Sequence, residues 1–342
     1  MNPALKYAAI LITVILTANT SSAQGIKILE QTQSTSVRGL SVVNDKVAWV
    51  SGSKGYIGLT VDGGTTWQWQ QVKGFEQSDF RDIEAFSDQK AVIMSSGIPA
   101  LIMTTANGGK SWQVNYRNDD KAYFLDAMAF ADDKHGYTLG DPINGKFVLL
   151  ETKDGGHNWK SMANAPAALP NEACFAASGT CIAADKNTLQ IVTGGSVSRL
   201  LSWDNKDWVY QALPILHGKE SQGAFSFAGE SSTMVFVGGD YQDNHRADSV
   251  AYVANFCCDV TKAGFPQRSP AGFQSCVNWL GGSNFISTGT SGTNLSTDGG
   301  NTWARINDES FNVCQQAKHG KLVLLAGDKG KIALYEPYLP HN

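Results

Sequence analysis

The sequence predicts an all-β fold, a seven-bladed β-propeller of four-stranded antiparallel blades. Three observations lead there. An eight-residue phrase recurs with fixed internal spacing, and an alternating strand ending in Gly or Ser recurs seven times. The composition, with 35 Gly, 10% aromatic and only 17% charged residues, suits many short strands and tight turns rather than helices or disorder.

From the N-terminus, Lys6 precedes an apolar run from Tyr7 to Ala18, followed by the small residues Ser21, Ser22 and Ala23. That order is an export signal peptide. Cleavage is expected after Ala23, leaving a single propeller over 24–342 in the periplasm or secreted. The run is too short to span a bilayer, and no later segment approaches the roughly 18 apolar residues a span requires. No Cys stands at the cleavage point to take a lipid.

The recurring phrase is Thr60-Val61-Asp62-Gly63-Gly64-Thr65-Thr66-Trp67. It returns around Asn107, Asp154 and Asp298, each time with Gly-Gly after the acid or amide and Trp five residues on, and in worn form around Asp204. This is an Asp-box (BNR) repeat. Its Asp or Asn oxygen accepts backbone N–H bonds in a tight turn, the glycines take φ > 0, and the Trp buries its ring between sheets. Asp62, Asp154 and Asp298 are therefore expected to be structural.

The second strand of each blade reads Ala48–Gly52, Val92–Ser96, Gly136–Gly140, Gln190–Gly194, Met234–Gly238, Phe285–Gly289 and Leu322–Gly327. Seven copies predict seven blades, and their uneven spacing places insertions near 165–175 and 241–275. The last blade runs out at Lys331–Tyr335 with three strands. The spare strand, Ile26–Glu30, lies at the other end of the chain, and pairing the two closes the ring and removes an exposed edge. A six-bladed ring of the sialidase kind is the alternative.

The Asp-box hairpins join third and fourth strands and share one rim with the first-to-second loops. The opposite rim carries the channel mouth, where propeller function usually gathers. Innermost strands are expected to begin near Arg38, Arg81, Asp126, Glu172, Gln222, Ser275 and Val313. Charge is scarce in the other strands, yet Arg38, Arg81, Asp82, Asp126, Glu172, Lys219 and Glu220 cluster here, joined by Asp141 and Arg199 from second-to-third loops. Two arginines among carboxylates could clamp an anionic sugar or a peptide carboxylate, with Asp126 or Glu172 as acid or base. The same groups could simply pair across a water-filled channel.

Other chemistries find no support. A net charge of −4 argues against nucleic acid, which asks for a basic face. The sequence has no HExxH, GxSxG, CxxC or nucleotide-binding GxGxxG, and Gly108-Gly109-Lys110-Ser111 belongs to a repeat turn. No metal or cofactor is expected. Cys174, Cys181, Cys257, Cys258, Cys276 and Cys314 permit disulfides in an exported chain without requiring them, since a core this large needs no staples.

The phrases Arg38-Gly39-Leu40-Ser41-Val42, Trp49-Val50-Ser51-Gly52, Gly74-Phe75-Glu76, Phe80–Phe86, Gly140-Asp141-Pro142-Ile143, Glu172–Gly179 and Gly218–Ser221 resemble the photosystem II stability/assembly factor-like (Ycf48-like) propellers. They are most similar to an exported bacterial subgroup sometimes labelled oxidoreductase. The resemblance implies a seven-bladed ring whose binding face, in photosynthetic members, helps assemble membrane complexes. Those factors dock partners through a basic face, whereas here the arginines sit among carboxylates. No residue of this chain supplies a flavin, nicotinamide, haem or quinone site. The sialidase opening Phe-Arg-Ile-Pro is also departed from, at Phe80-Arg81-Asp82-Ile83.

The reading that follows is an exported, monomeric, non-catalytic propeller that binds a protein partner or polymer at its channel mouth. The alternative is a glycosidase or polysaccharide lyase acting on an anionic glycan.

Overall fold

A computed structural model describes residues 25–230, 233–255 and 262–337. The signal-peptide segment, Cys257, Cys258 and His341 lie outside the described residues. Seven blades surround a central channel. Blade 1 comprises Val37–Val42, Ala48–Gly52, Tyr56–Thr60 and Gln68–Gln71, ordered from channel to rim. The innermost strands of blades 2 to 7 are Asp79–Ala85, Leu125–Phe130, Ile182–Ala184, Gln222–Glu230, Cys276–Gly281 and Val313–Gln316. Blade 7 takes its fourth strand from the N-terminus: Gly25–Glu30 pairs antiparallel with Ile332–Glu336, Ile26 opposite Tyr335. The first and last strands of the described residues thus belong to one sheet.

Apolar second and third strands are buried on both faces because each blade is covered by two neighbours. Ala91–Ser96 and Ala100–Thr105 are buried throughout, whereas the outermost Gln68–Gln71 is open to solvent. Trp49, Ile57, Phe80, Ile93 and Leu101 fill the seam between blades 1 and 2. Val92, Met94, Ile102, Leu125, Leu150 and Trp159 fill the next seam.

The recurring Gly at the end of the second strand has a steric cause. A Cβ on Gly140 would lie 2.2 Å from the Phe124 carbonyl oxygen, and one on Gly238 would lie 1.9 Å from that of Gly223. The Asp-box turns close as the sequence suggests, with one refinement. In the first, the Thr66 N–H and hydroxyl donate to the Asp62 carboxylate at 2.9 and 2.7 Å, but the Gly64 N–H goes to the Thr60 hydroxyl at 2.9 Å. Asp154 and Asp298 repeat the arrangement. The Trp303 indole donates to the Gly300 carbonyl, which pins the buried ring beneath its own turn.

Blade 4 departs from expectation. Its innermost strand begins at Ile182, not at Glu172. Glu172–Ala173 makes a two-residue ladder with Gly194–Gly195, which itself touches Gly223 of blade 5. The chain then leaves the sheet, and Phe175–Thr180 runs across the channel.

Candidate functional site at the channel mouth

The residues that face the mouth arrive there by a shared local device. In blade 1, Val37 pairs with Gly52 and Gly39 with Ser51, so Arg38 is one residue too many for its partner strand. The same one-residue bulge falls at Arg81, Asp126 and Phe225 in blades 2, 3 and 5. A bulge bends the strand and re-aims the extra side chain. All four line one cavity of about 470 Å³, with Ser275 and Asn312 from blades 6 and 7.

The floor of that cavity is the chain itself. Arg38 donates to the Ala177 carbonyl at 3.5 Å and Arg81 to the Ala176 carbonyl at 3.3 Å. The Ala176 N–H faces Asp126. Below, the Ser178 hydroxyl donates to the Ser275 carbonyl at 2.8 Å and Thr180 to Ser226 at 2.7 Å. Five blades therefore grip the crossing segment through small residues. The expected water-filled channel is instead a plugged one. A second cavity, about 610 Å³, lies beneath the plug on the Asp-box side.

The mouth has two unlike halves. Phe175 stacks on Phe225 with centroids 3.8 Å apart, Phe273 meets Phe225 edge-on at 4.7 Å, and the half-exposed Tyr241 completes an aromatic wall. Opposite stand the charged groups. Arg81 pairs with Asp79 at 2.7 Å and lies against Phe124. Arg38 makes no ion pair among the described residues; burial and the neighbouring Arg81 lower its pKa, while Asp328 and Asp79 oppose that shift. Asp328 is held below the usual carboxylate range: burial works against ionisation, but the Ser36 hydroxyl, the Asn312 amide and Arg38 outweigh it.

Asp126 is sealed from water, and one of its oxygens has no hydrogen-bond partner. Burial and the neighbouring Asp141 push its pKa well above the usual range, against the opposing pull of Arg81 and the Ala176 N–H. Burial raises Asp141 too. Burial and Asp141 thus favour the protonated form of Asp126 close to the Arg81 guanidinium.

The remaining residues singled out from the sequence lie elsewhere. Glu172 and Arg199 form a closed bidentate pair at 2.8 and 2.5 Å, and Thr193 and the Leu169 N–H also donate to Glu172. Arg199 further lies over the Tyr210 ring. This is a buried anchor for the start of the plug. Glu172 does not line the mouth, so Asp126 and Glu172 are not brought together as an acid–base pair. Asp82 follows its bulge and points to the lower cavity, where it accepts N–H bonds from Ile83 and Met128 at 2.8 and 2.7 Å. Lys219 and Glu220 are exposed and also lie outside the mouth lining. Among the described residues, no group of three His, Cys, Asp or Glu side chains could hold a metal ion.

The sequence reading missed the aromatic wall and the plug. The phrase Glu172–Gly179 was visible, but its short run of small residues resembles a strand start as much as a crossing.

Comparison with known proteins agrees with this architecture. A family model described as photosynthesis system II assembly factor YCF48 matches residues 18–121. The chain is similar in structure to YCF48 bound to D1 peptide, with a TM-score of 0.65, 16% identity, and coverage of 92% of this chain and 97% of that one. It is also similar to YCF48 from Cyanidioschyzon merolae, at 0.62 and 13%, covering 91% and 99%. The Pan2 WD40 domain of Neurospora crassa matches at 0.60 and 13%, covering 90% of each chain. No curated protein matches.

Proposed function

We propose that this chain, a β-propeller similar to YCF48, is an exported, non-catalytic binding protein that docks a segment of a protein partner at its channel mouth. One observation carries the reading. Bulges in separate blades aim Arg38, Arg81, Asp126 and Phe225 into a single dead-ended cavity. The occupant that fits has an acceptor group, best a carboxylate, for Arg38, and an apolar side chain for the wall of Phe175, Phe273 and Tyr241. A structural neighbour of the same fold, YCF48, is bound to D1 peptide, which supports a peptide as ligand. The enzymatic alternative loses one of its two acid or base candidates, because Glu172 is consumed by Arg199.

The test uses a pool of fluorescein-labelled decapeptides ending in free carboxylates at apolar residues, read by fluorescence anisotropy. Arg38→Ala is expected to weaken the best binder at least about 10-fold, the scale of one charge-assisted hydrogen bond. C-terminal amidation of that peptide is expected to do the same. An affinity indifferent to both changes would remove the mouth from consideration.

A further inference from the structure

Away from the mouth, two thiols meet between blades. Cys276 opens the innermost strand of blade 6, and Cys314 is second in that of blade 7. Their sulfurs are 3.7 Å apart, and both residues are fully buried. Cys276 Sγ accepts the Cys314 N–H at 3.4 Å and donates to the Cys314 carbonyl at 3.3 Å, so one residue grips the peptide of the other. The Thr180 hydroxyl of the plug lies 3.6 Å from Cys276 Sγ. Cys174 and Cys181, at the two ends of the plug, interact electrostatically, but among the described residues no hydrogen bond joins their sulfurs; Cys174 instead faces the Val192 carbonyl.

We infer that Cys276 and Cys314 are an oxidation site, forming a disulfide that ties blade 6 to blade 7 by exchange with an external disulfide such as oxidised glutathione. The Cys276 thiolate attacks one glutathione sulfur, the S–S bond breaks, and one glutathione thiolate leaves. Cys314 loses its proton to solvent and attacks the Cys276 sulfur of the mixed disulfide, releasing the second glutathione. Two electrons from the protein thus reduce one glutathione disulfide to two thiols. The order of attack follows from the surroundings. Burial disfavours both thiolates, but the Cys314 thiol and N–H, with Thr180, hold Cys276 below the usual thiol pKa, while burial and Cys276 push Cys314 up. Both sulfurs are sealed in the finished ring, so exchange belongs to the folding chain or to a transient opening of this seam. Bond formation needs the sulfurs to close from 3.7 Å to about 2.05 Å.

The full mature chain is refolded in a mixture of oxidised and reduced glutathione, quenched with acid, alkylated and digested without reduction. Mass spectrometry is expected to find the Cys276 and Cys314 peptides joined and two hydrogens lighter, a species absent from Cys314→Ser. The oxidised protein is expected to melt about 5 °C above the same protein reduced by a phosphine, because the bridge closes a loop of 38 residues. That gap disappears in Cys314→Ser, or in Cys276→Ala should the first variant not fold. Recovery of Cys276 and Cys314 as alkylated thiols in the wild-type chain overturns the assignment. So does a bridge from either to a different cysteine.

Discussion

A carboxyl group sealed inside a protein is tolerated when it keeps its proton or when donors surround it. Asp82 shows both influences: burial raises its pKa to about 7, although the Met128 and Ile83 N–H groups pull the other way. Its unfolded value lies near 3.8. Between those values the native state holds a proton that the unfolded chain has released, so stability falls as pH rises from about 4 to about 7. Asp126 acts in the same direction. The Asp82→Asn variant is expected to lose that slope. Its urea midpoint relative to wild type should therefore improve steadily between pH 4.5 and pH 7.5, and a constant difference would contradict the assignment. That Arg38, Arg81 and Asp126 share one end of the channel was legible because charge is rare in these strands. The facing of Asp82 was not, since a bulge at Arg81 turns two adjacent residues toward opposite ends of the channel, and no sequence pattern announces that extra residue.

At the scale of elements, the plug is what a repeat-based reading is least able to see. Repeats describe how each blade copies its neighbours, whereas the crossing segment follows from where blade 4 breaks the pattern. Its composition, Phe175-Ala176-Ala177-Ser178-Gly179-Thr180, answers to the width of the channel. Gly179 has φ +73°, and a Cβ there would sit 2.5 Å from the Asp82 carboxyl oxygen. Gly179→Ala is expected to destabilise the fold by about 2–4 kcal/mol, combining left-handed backbone strain with overpacking. Denaturant unfolding measures this; a loss below about 0.5 kcal/mol would show that the segment is not clamped. The Asp-box turns, by contrast, were readable but for the Thr or Ser hydroxyl that takes the second glycine's N–H. Their hydrogen bonds are local, so a few consecutive residues of sequence contain the whole interaction.

For the whole molecule, the blade count and the closing strand were both visible in the chain. Seven second strands were countable, and a blade short of one strand at one end matched an orphan strand at the other. The expected cleavage after Ala23 leaves Gly25–Glu30 intact for that pairing. N-terminal sequencing of exported protein is expected to begin at Gln24. A version starting at Gln31 is expected to melt about 10 °C lower or to self-associate through the bare Ile332–Glu336 edge. Equal melting of the two versions would mean that the ring does not depend on its closure.

That closure also sets a timetable. Residues 25–30 leave the ribosome long before their partner strand, Ile332–Glu336, is made. At about 5–20 residues per second, roughly 300 residues separate them by some 15–60 s. Throughout synthesis the nascent chain is at best an open arc with a free edge at one end. The ring therefore cannot shut before its seventh blade has been made.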